Sequence, residues 1–177
     1  SAKLNKKCNW ADAGFEIAYD QFVLQKWNFT TSSLVSNLEM ATIQTEDFLE
    51  ITGKDFTFKF NKKDGIITDY KIAGANLIQQ GPLHNLWRAP TDNDGSYFPE
   101  AENKRQCQLW LKAGLKDMTS RLTSFDLKNA GAGKATFVVS YELLNEDKSS
   151  GFTSNIEYSV FADGHFTMHT TIDPIGK

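Results

Sequence analysis

The sequence predicts an all-β protein, an antiparallel sandwich, and three observations predict it. Apolar residues alternate with polar ones over several separate runs, turn residues close those runs, and few helical repeats interrupt them. The clearest run is Asn155–Val160, then Asp163-Gly164, then His165–Ile172. Ile156, Tyr158 and Val160 share one face, and Phe166, Met168 and Ile172 share another. Asp-Gly supplies the positive φ of a tight turn, so this is a hairpin. A second hairpin joins Phe56–Phe60 through Asn61–Gly65 to Ile66–Ile72, with Phe56, Phe58 and Phe60 as one stripe. A third alternating strand runs Thr136–Leu144 after Gly131-Ala132-Gly133, placing Phe137, Val139, Tyr141 and Leu143 together. Further strands are expected at Glu16–Leu24, Asn37–Gln44, Phe48–Thr52 and Arg121–Leu127.

One stretch departs from this rhythm. Pro99–Leu111 opens with Glu100 and Glu102 and continues with Lys104 and Arg105, a charge order that suits the helix dipole. Cys107, Trp110 and Leu111 follow at helical spacing, and Gly114 can stop the element. One short helix is expected there. A polar stretch, Asn28–Ser33, separates the aromatic-rich Tyr19–Trp27 from the rest and reads as an interdomain linker.

Composition sets limits on function. The chain has 177 residues, 22 acidic and 19 basic side chains, a net charge of −3, and 40% apolar residues. These are the proportions of a soluble globular protein. Mild acidity implies no basic face for nucleic acid, and no apolar run reaches the ~18 residues of a membrane-spanning helix. Cys8 and Cys107 are far apart and read as unrelated thiols.

The densest polar cluster is Asn85-Leu86-Trp87-Arg88-Ala89-Pro90-Thr91-Asp92-Asn93-Asp94-Gly95. Carboxylates and amides can bond sugar hydroxyls while an indole covers the apolar face of a pyranose. The competing reading is structural: Arg88 pairs with Asp92 or Asp94, Pro90 fixes the turn and Trp87 enters the core. The Asp-Asn-Asp run does not match a calcium loop, so no metal site is expected. His165 and His169 lie on one strand face roughly 13 Å apart, too far for one metal ion, and read as surface residues. His84 carries no distinct signal, and no spacing nominates a catalytic carboxylate pair.

Leu86-Trp87-Arg88-Ala89-Pro90-Thr91-Asp92-Asn93-Asp94 closely resembles a signature of the large bacterial β-galactosidases of glycoside hydrolase family two, at the start of their C-terminal, small-chain or fifth domain. Ala13–Leu24 resembles the last strand of the preceding immunoglobulin-like domain, which often reads Ala-Gly-His-x-x-Ala-x-x-Gln; Phe15 stands where that histidine is common. Trp110–Leu115 resembles the helix after the signature loop.

The resemblance implies a supersandwich related to galactose mutarotase and three segments: 1–27 as the terminal strand of the preceding domain, 28–36 as linker, and 37–177 as the N-terminal portion of the small-chain domain. It implies a non-catalytic fragment, because the family's two catalytic glutamates belong to the barrel domain. No catalytic residue carries over. Trp87, Arg88, Asp92, Asn93 and Asp94 are the candidate substrate-binding residues. Implied partners are the other domains of the parent enzyme and a galactoside, with no nucleic acid and no membrane. Magnesium and sodium, common in the family, are implied at sites outside this chain. The apolar stripes also suggest self-association of the fragment. A stand-alone carbohydrate-binding or aldose-epimerase-like module of the same fold is the alternative, with His165 and His169 its nearest acid/base candidates, and a purely structural module is a third.

Overall fold

In a computed structural model, residues 1–24, 38–95 and 106–176 are described. The chain divides into two compact units, Ser1–Leu34 and Val35–Lys177. In the first, β1 (Ala2–Lys3) pairs antiparallel with β2 (Glu16–Ala18). The strand expected over Glu16–Leu24 is therefore cut short. Among the described residues Tyr19–Leu24 pairs with no strand, and Tyr19, Phe22, Val23 and Leu24 are exposed. The linker at 28–36 lies outside the described residues.

The second unit carries two antiparallel sheets. The five-stranded sheet follows chain order: β3 (Ala41–Gln44), β4 (Phe48–Thr52), β5 (Phe56–Asn61), β6 (Ile66–Ile72) and β7 (Ala75–Asn76). The four-stranded sheet holds β8 (Thr119–Ala130), β9 (Lys134–Leu144), β10 (Gly151–Phe161) and β11 (Phe166–Ile175), with β8 and β11 at its edges. Between the sheets runs a long connection containing a 3₁₀ turn (Asp92–Asp94), α1 (Gln106–Lys112) and a second 3₁₀ turn (Leu115–Asp117). No described helix is long and apolar enough to cross a membrane.

The core forms where the alternating stripes meet. Phe56, Phe58 and Phe60 of β5 and Phe137, Val139, Tyr141 and Leu143 of β9 are all buried, with Ile156, Tyr158 and Val160 of β10. Burying stripes of this size against each other is the main force joining two sheets. Phe58 and Phe60 lie 6.1 and 5.2 Å from Phe137, which stacks on Tyr158 at 4.8 Å. Two tyrosines add a polar bond from each sheet to a turn of the other. Tyr141 donates to the Gly65 carbonyl at 2.5 Å, and Tyr70 donates to that of Gly164 at 2.9 Å. Gly65 has φ +70°, and a Cβ there would meet Tyr141 at 2.8 Å, so turn geometry and packing both demand glycine.

Two expectations are corrected here. Met168 and Ile172 share the face of Phe166 but stay exposed, because β11 is an edge strand and little of the other sheet covers it. The expected helix is seen only as Gln106–Lys112, residues 99–105 lying outside the described ones, and Leu111 faces solvent rather than the core. Its end is as expected: Gly114 adopts φ +72° and donates to the Leu111 carbonyl. Both cysteines are free thiols.

Candidate functional site

The loop at 85–95 is built around Asp94. Thr91 is extended and opens the 3₁₀ turn Asp92–Asp94, which Gly95 closes at φ +82° by donating to the Asp92 carbonyl at 2.9 Å. This tight turn carries the Asp94 side chain back towards its own start. Its Oδ2 accepts from the Thr91 backbone N–H at 2.8 Å and the Thr91 hydroxyl at 3.0 Å. Arg88 then closes a two-pronged pair, Nη1 to Oδ2 at 2.7 Å and Nη2 to Oδ1 at 2.9 Å. Arg88 and the two Thr91 donors hold the Asp94 carboxyl well below the usual carboxylate range. Asp94 is buried, while the Arg88 side chain remains 57% exposed.

Of the sequence-nominated residues, Arg88 and Asp94 are thus joined to each other. Trp87 does not enter the core: it is half-buried and meets Trp110 of α1 edge to face, with ring centroids 6.3 Å apart. The Arg88 guanidinium sits 4.8 Å over the same Trp110 ring. Asp92 and Asn93 are exposed at the turn. The result is a loop that holds Trp87, Arg88 and a fixed carboxylate against Trp110 of α1, with Asp92 and Asn93 exposed.

A family model described as the β-galactosidase small chain matches residues 52–176, which include this loop. The chain belongs to that family. It is also similar to segments of proteins named β-galactosidase. It is 30% identical over 175 residues to the Priestia megaterium enzyme, covering 98% of this chain and 16% of that protein. It is 28% identical over 174 residues to the Lactococcus lactis enzyme, covering 94% and 17%. Against the Clostridium acetobutylicum enzyme it is 31% identical over 130 residues, covering 72% and 14%. The chain therefore spans about a sixth of the length of the curated relatives it matches.

Within this small-chain segment, sequence reasoning missed His84. Its Nε2 lies 2.9 Å from Ser154 Oγ and its Nδ1 3.3 Å from Ser120 Oγ, and its ring meets Tyr141 edge on at 4.8 Å. Burial pushes its pKa down, favouring the neutral ring that two hydroxyls can satisfy. His84 thereby ties the start of the loop to β8 and β10. It lines a cleft of about 260 Å³ with Ser120, Tyr141, Met168 and Thr170. No sequence spacing could have found it, since its partners lie 36 and 70 positions away.

The histidines that sequence did single out stand elsewhere. His165 is exposed, bonds Asp163 at 2.5 Å and stacks on Phe161; His169 is exposed on β11. Neither lines the cleft at His84. Among the described residues no group of three or more His, Cys, Asp or Glu side chains could hold a metal ion.

Proposed function

We propose that this chain is a non-catalytic β-sandwich portion of a β-galactosidase, an enzyme that hydrolyses terminal β-D-galactosides. It buttresses the catalytic barrel and helps shape the rim of the active site. Residues 1–27 then belong to the preceding immunoglobulin-like domain, 28–36 to a linker, and 37–177 to the small-chain domain. The other domains of the enzyme are its partners, and the galactoside is met only in their company.

The observation that carries this reading is the clamped loop. Arg88, Thr91 and Asp94 spend their polar groups on one another, which fixes the backbone and leaves Asp92 and Asn93 projecting. Such a loop is suited to present two polar side chains to a sugar assembled against another domain. A charge-assisted pair already closed on itself is poorly suited to proton transfer, because Asp94 stays ionised.

The test is direct. Purified chain incubated with a chromogenic β-galactoside should show no turnover. Turnover that survives repurification and responds to Asp92→Ala or Asn93→Ala would overturn the reading. In a whole enzyme carrying this segment, the same two substitutions should raise KM more than they lower kcat.

A further inference from the structure

We propose that Trp110 of α1 is a positioning residue for the loop at 85–95: it holds Trp87 and Arg88, and through them sets where Asp92 and Asn93 stand. The inference rests on the reading of that loop as the part of the segment that meets the sugar, and it names the residue on which the loop's placement depends.

The clamp alone does not place the loop. Arg88, Thr91 and Asp94 lie in one short stretch, so their bonds fix the shape of that stretch and not its position. Position requires contact with an element that is anchored separately, and α1 is anchored at both its ends. Cys107 is 4% exposed, and Trp110 stands about one turn further along on the same helix face. Beyond the helix, Gly114 at φ +72° lies close against the β9–β10 turn, where a Cβ would meet that of Asn145 at 2.8 Å. Trp110 therefore stands on a piece of backbone tied to the four-stranded sheet.

Its contacts use what the clamp leaves over. The Arg88 guanidinium spends its edge donors on Asp94, at 2.7 and 2.9 Å, and on the Ala89 carbonyl at 3.2 Å. Its flat face lies over the indole of Trp110, with Cζ 4.8 Å from the ring centroid. A carboxylate on the edge and a ring on the face do not compete, so Arg88 serves both at once. Trp87 meets the same indole nearly at right angles, with 87° between the planes. The Asn85 side chain accepts from the Trp87 N–H at 3.0 Å and turns the backbone just before this pair. One ring is thus held by two neighbours in sequence. Any shift of that ring passes to both, and the closed Arg88–Asp94 pair passes it on to the turn that carries Asp92 and Asn93.

Amide exchange on the full chain, beside steady-state kinetics of a whole enzyme carrying this segment, tests the assignment. Trp110→Leu keeps apolar bulk but offers no ring face, whereas Trp110→Phe keeps one. We expect Thr91–Gly95 amides to exchange roughly two- to fivefold faster in Trp110→Leu, the range of a partly exposed cation–π contact, and near the parent rate in Trp110→Phe. In the whole enzyme Trp110→Leu should raise KM by a similar factor with kcat held. A residue that only supports folding would lower the active fraction and leave KM alone. Leu111→Ala, an exposed neighbour on the helix, should change neither. Loop amides that exchange alike in the parent and Trp110→Leu would overturn the proposal. So would a Phe variant as loose as the Leu variant, or a parental KM in Trp110→Leu where Asn93→Ala raises it. If Asp92→Ala and Asn93→Ala both leave KM unchanged, the sugar-facing reading of the loop fails instead, and the exchange comparison still decides the role of Trp110. The unaltered chain gives a reading that no folding defect can spoil. Arg88 side-chain protons beside the guanidinium should resonate upfield because they lie by an indole face, and ordinary positions would overturn the proposal.

Discussion

The sheet interface and the loop at 85–95 are held by opposite kinds of force. Between the sheets, Phe58, Phe60, Phe137 and Tyr158 are almost fully withdrawn from water and held by ring packing, with Tyr141 and Tyr70 each adding one hydrogen bond to a turn. At the loop, the organising group is a single carboxylate that accepts from Arg88 and Thr91, beside an arginine that is largely in solvent. The difference teaches where each kind of damage should spread. Burial is shared by many residues, so a defect there is felt by the whole unit. A charge pair near water fixes a few residues and should fail locally.

The comparison is broken most forcefully at Phe137. Its ring packs against Phe58 and Phe60 of β5 and stacks on Tyr158, so Phe137→Ala leaves a cavity at the centre of the sandwich. A loss of about 3–5 kcal/mol is expected in chemical denaturation. A loss under about 1 kcal/mol would mean that the two sheets are not joined through these rings.

Tyr141→Phe is a finer probe of the same interface. The ring is retained, but the buried Gly65 carbonyl loses its donor, so about 1–3 kcal/mol should be lost. The pH dependence follows from the same burial. Burial holds the Tyr141 hydroxyl well above its ordinary value of 10.0, and Tyr158 is pushed up to about 12. Below pH 10 both states keep these protons and the stabilisation is fully present. Above it the unfolded chain ionises first, so stability falls as pH rises towards the folded values. Denaturation midpoints between pH 8 and 11 should decline for the parent chain, and less steeply for Tyr141→Phe.

Legibility in the sequence follows the same division. Period-two stripes such as Phe56–Phe58–Phe60 announce both a strand and its buried face, because alternation is a property of the strand itself. What covers a face is not such a property. Met168 and Ile172 read as apolar partners of Phe166, yet β11 lies at an edge and leaves them open. Tyr19–Leu24 reads as strand for the same reason and finds no partner among the described residues. At the loop, composition offered Arg88 two carboxylates, and the choice of Asp94 depends on a 3₁₀ turn that brings the third residue after Thr91 back to it. His84 was invisible because its meaning comes wholly from Ser120, Tyr141 and Ser154, which other strands deliver.

The smallest expected effect belongs to Asp94, and it decides whether the loop is the local device described here. Asp94→Asn keeps the shape but removes the charge that Arg88 and the Thr91 N–H seek. The global melting temperature should change little, because none of the rings between the sheets depends on this carboxylate. Amides from Thr91 to Gly95 should exchange faster, since the turn loses its anchor. Acid gives an independent reading. The Asp94 carboxyl is lowered from its ordinary 3.8, chiefly by Arg88 and then by the Thr91 N–H. A depressed carboxylate contributes stability that is fully present above the unfolded value and is lost as pH falls through the folded one. Loop protection should therefore be flat from pH 7 to about 4 and decline only in stronger acid, while Asp94→Asn should show no acid step in this segment. A loop that loosens already between pH 6 and 5, or an Asn variant that unfolds the sandwich as a whole, would place the carboxylate in a wider network than its bonds to Arg88 and Thr91 describe.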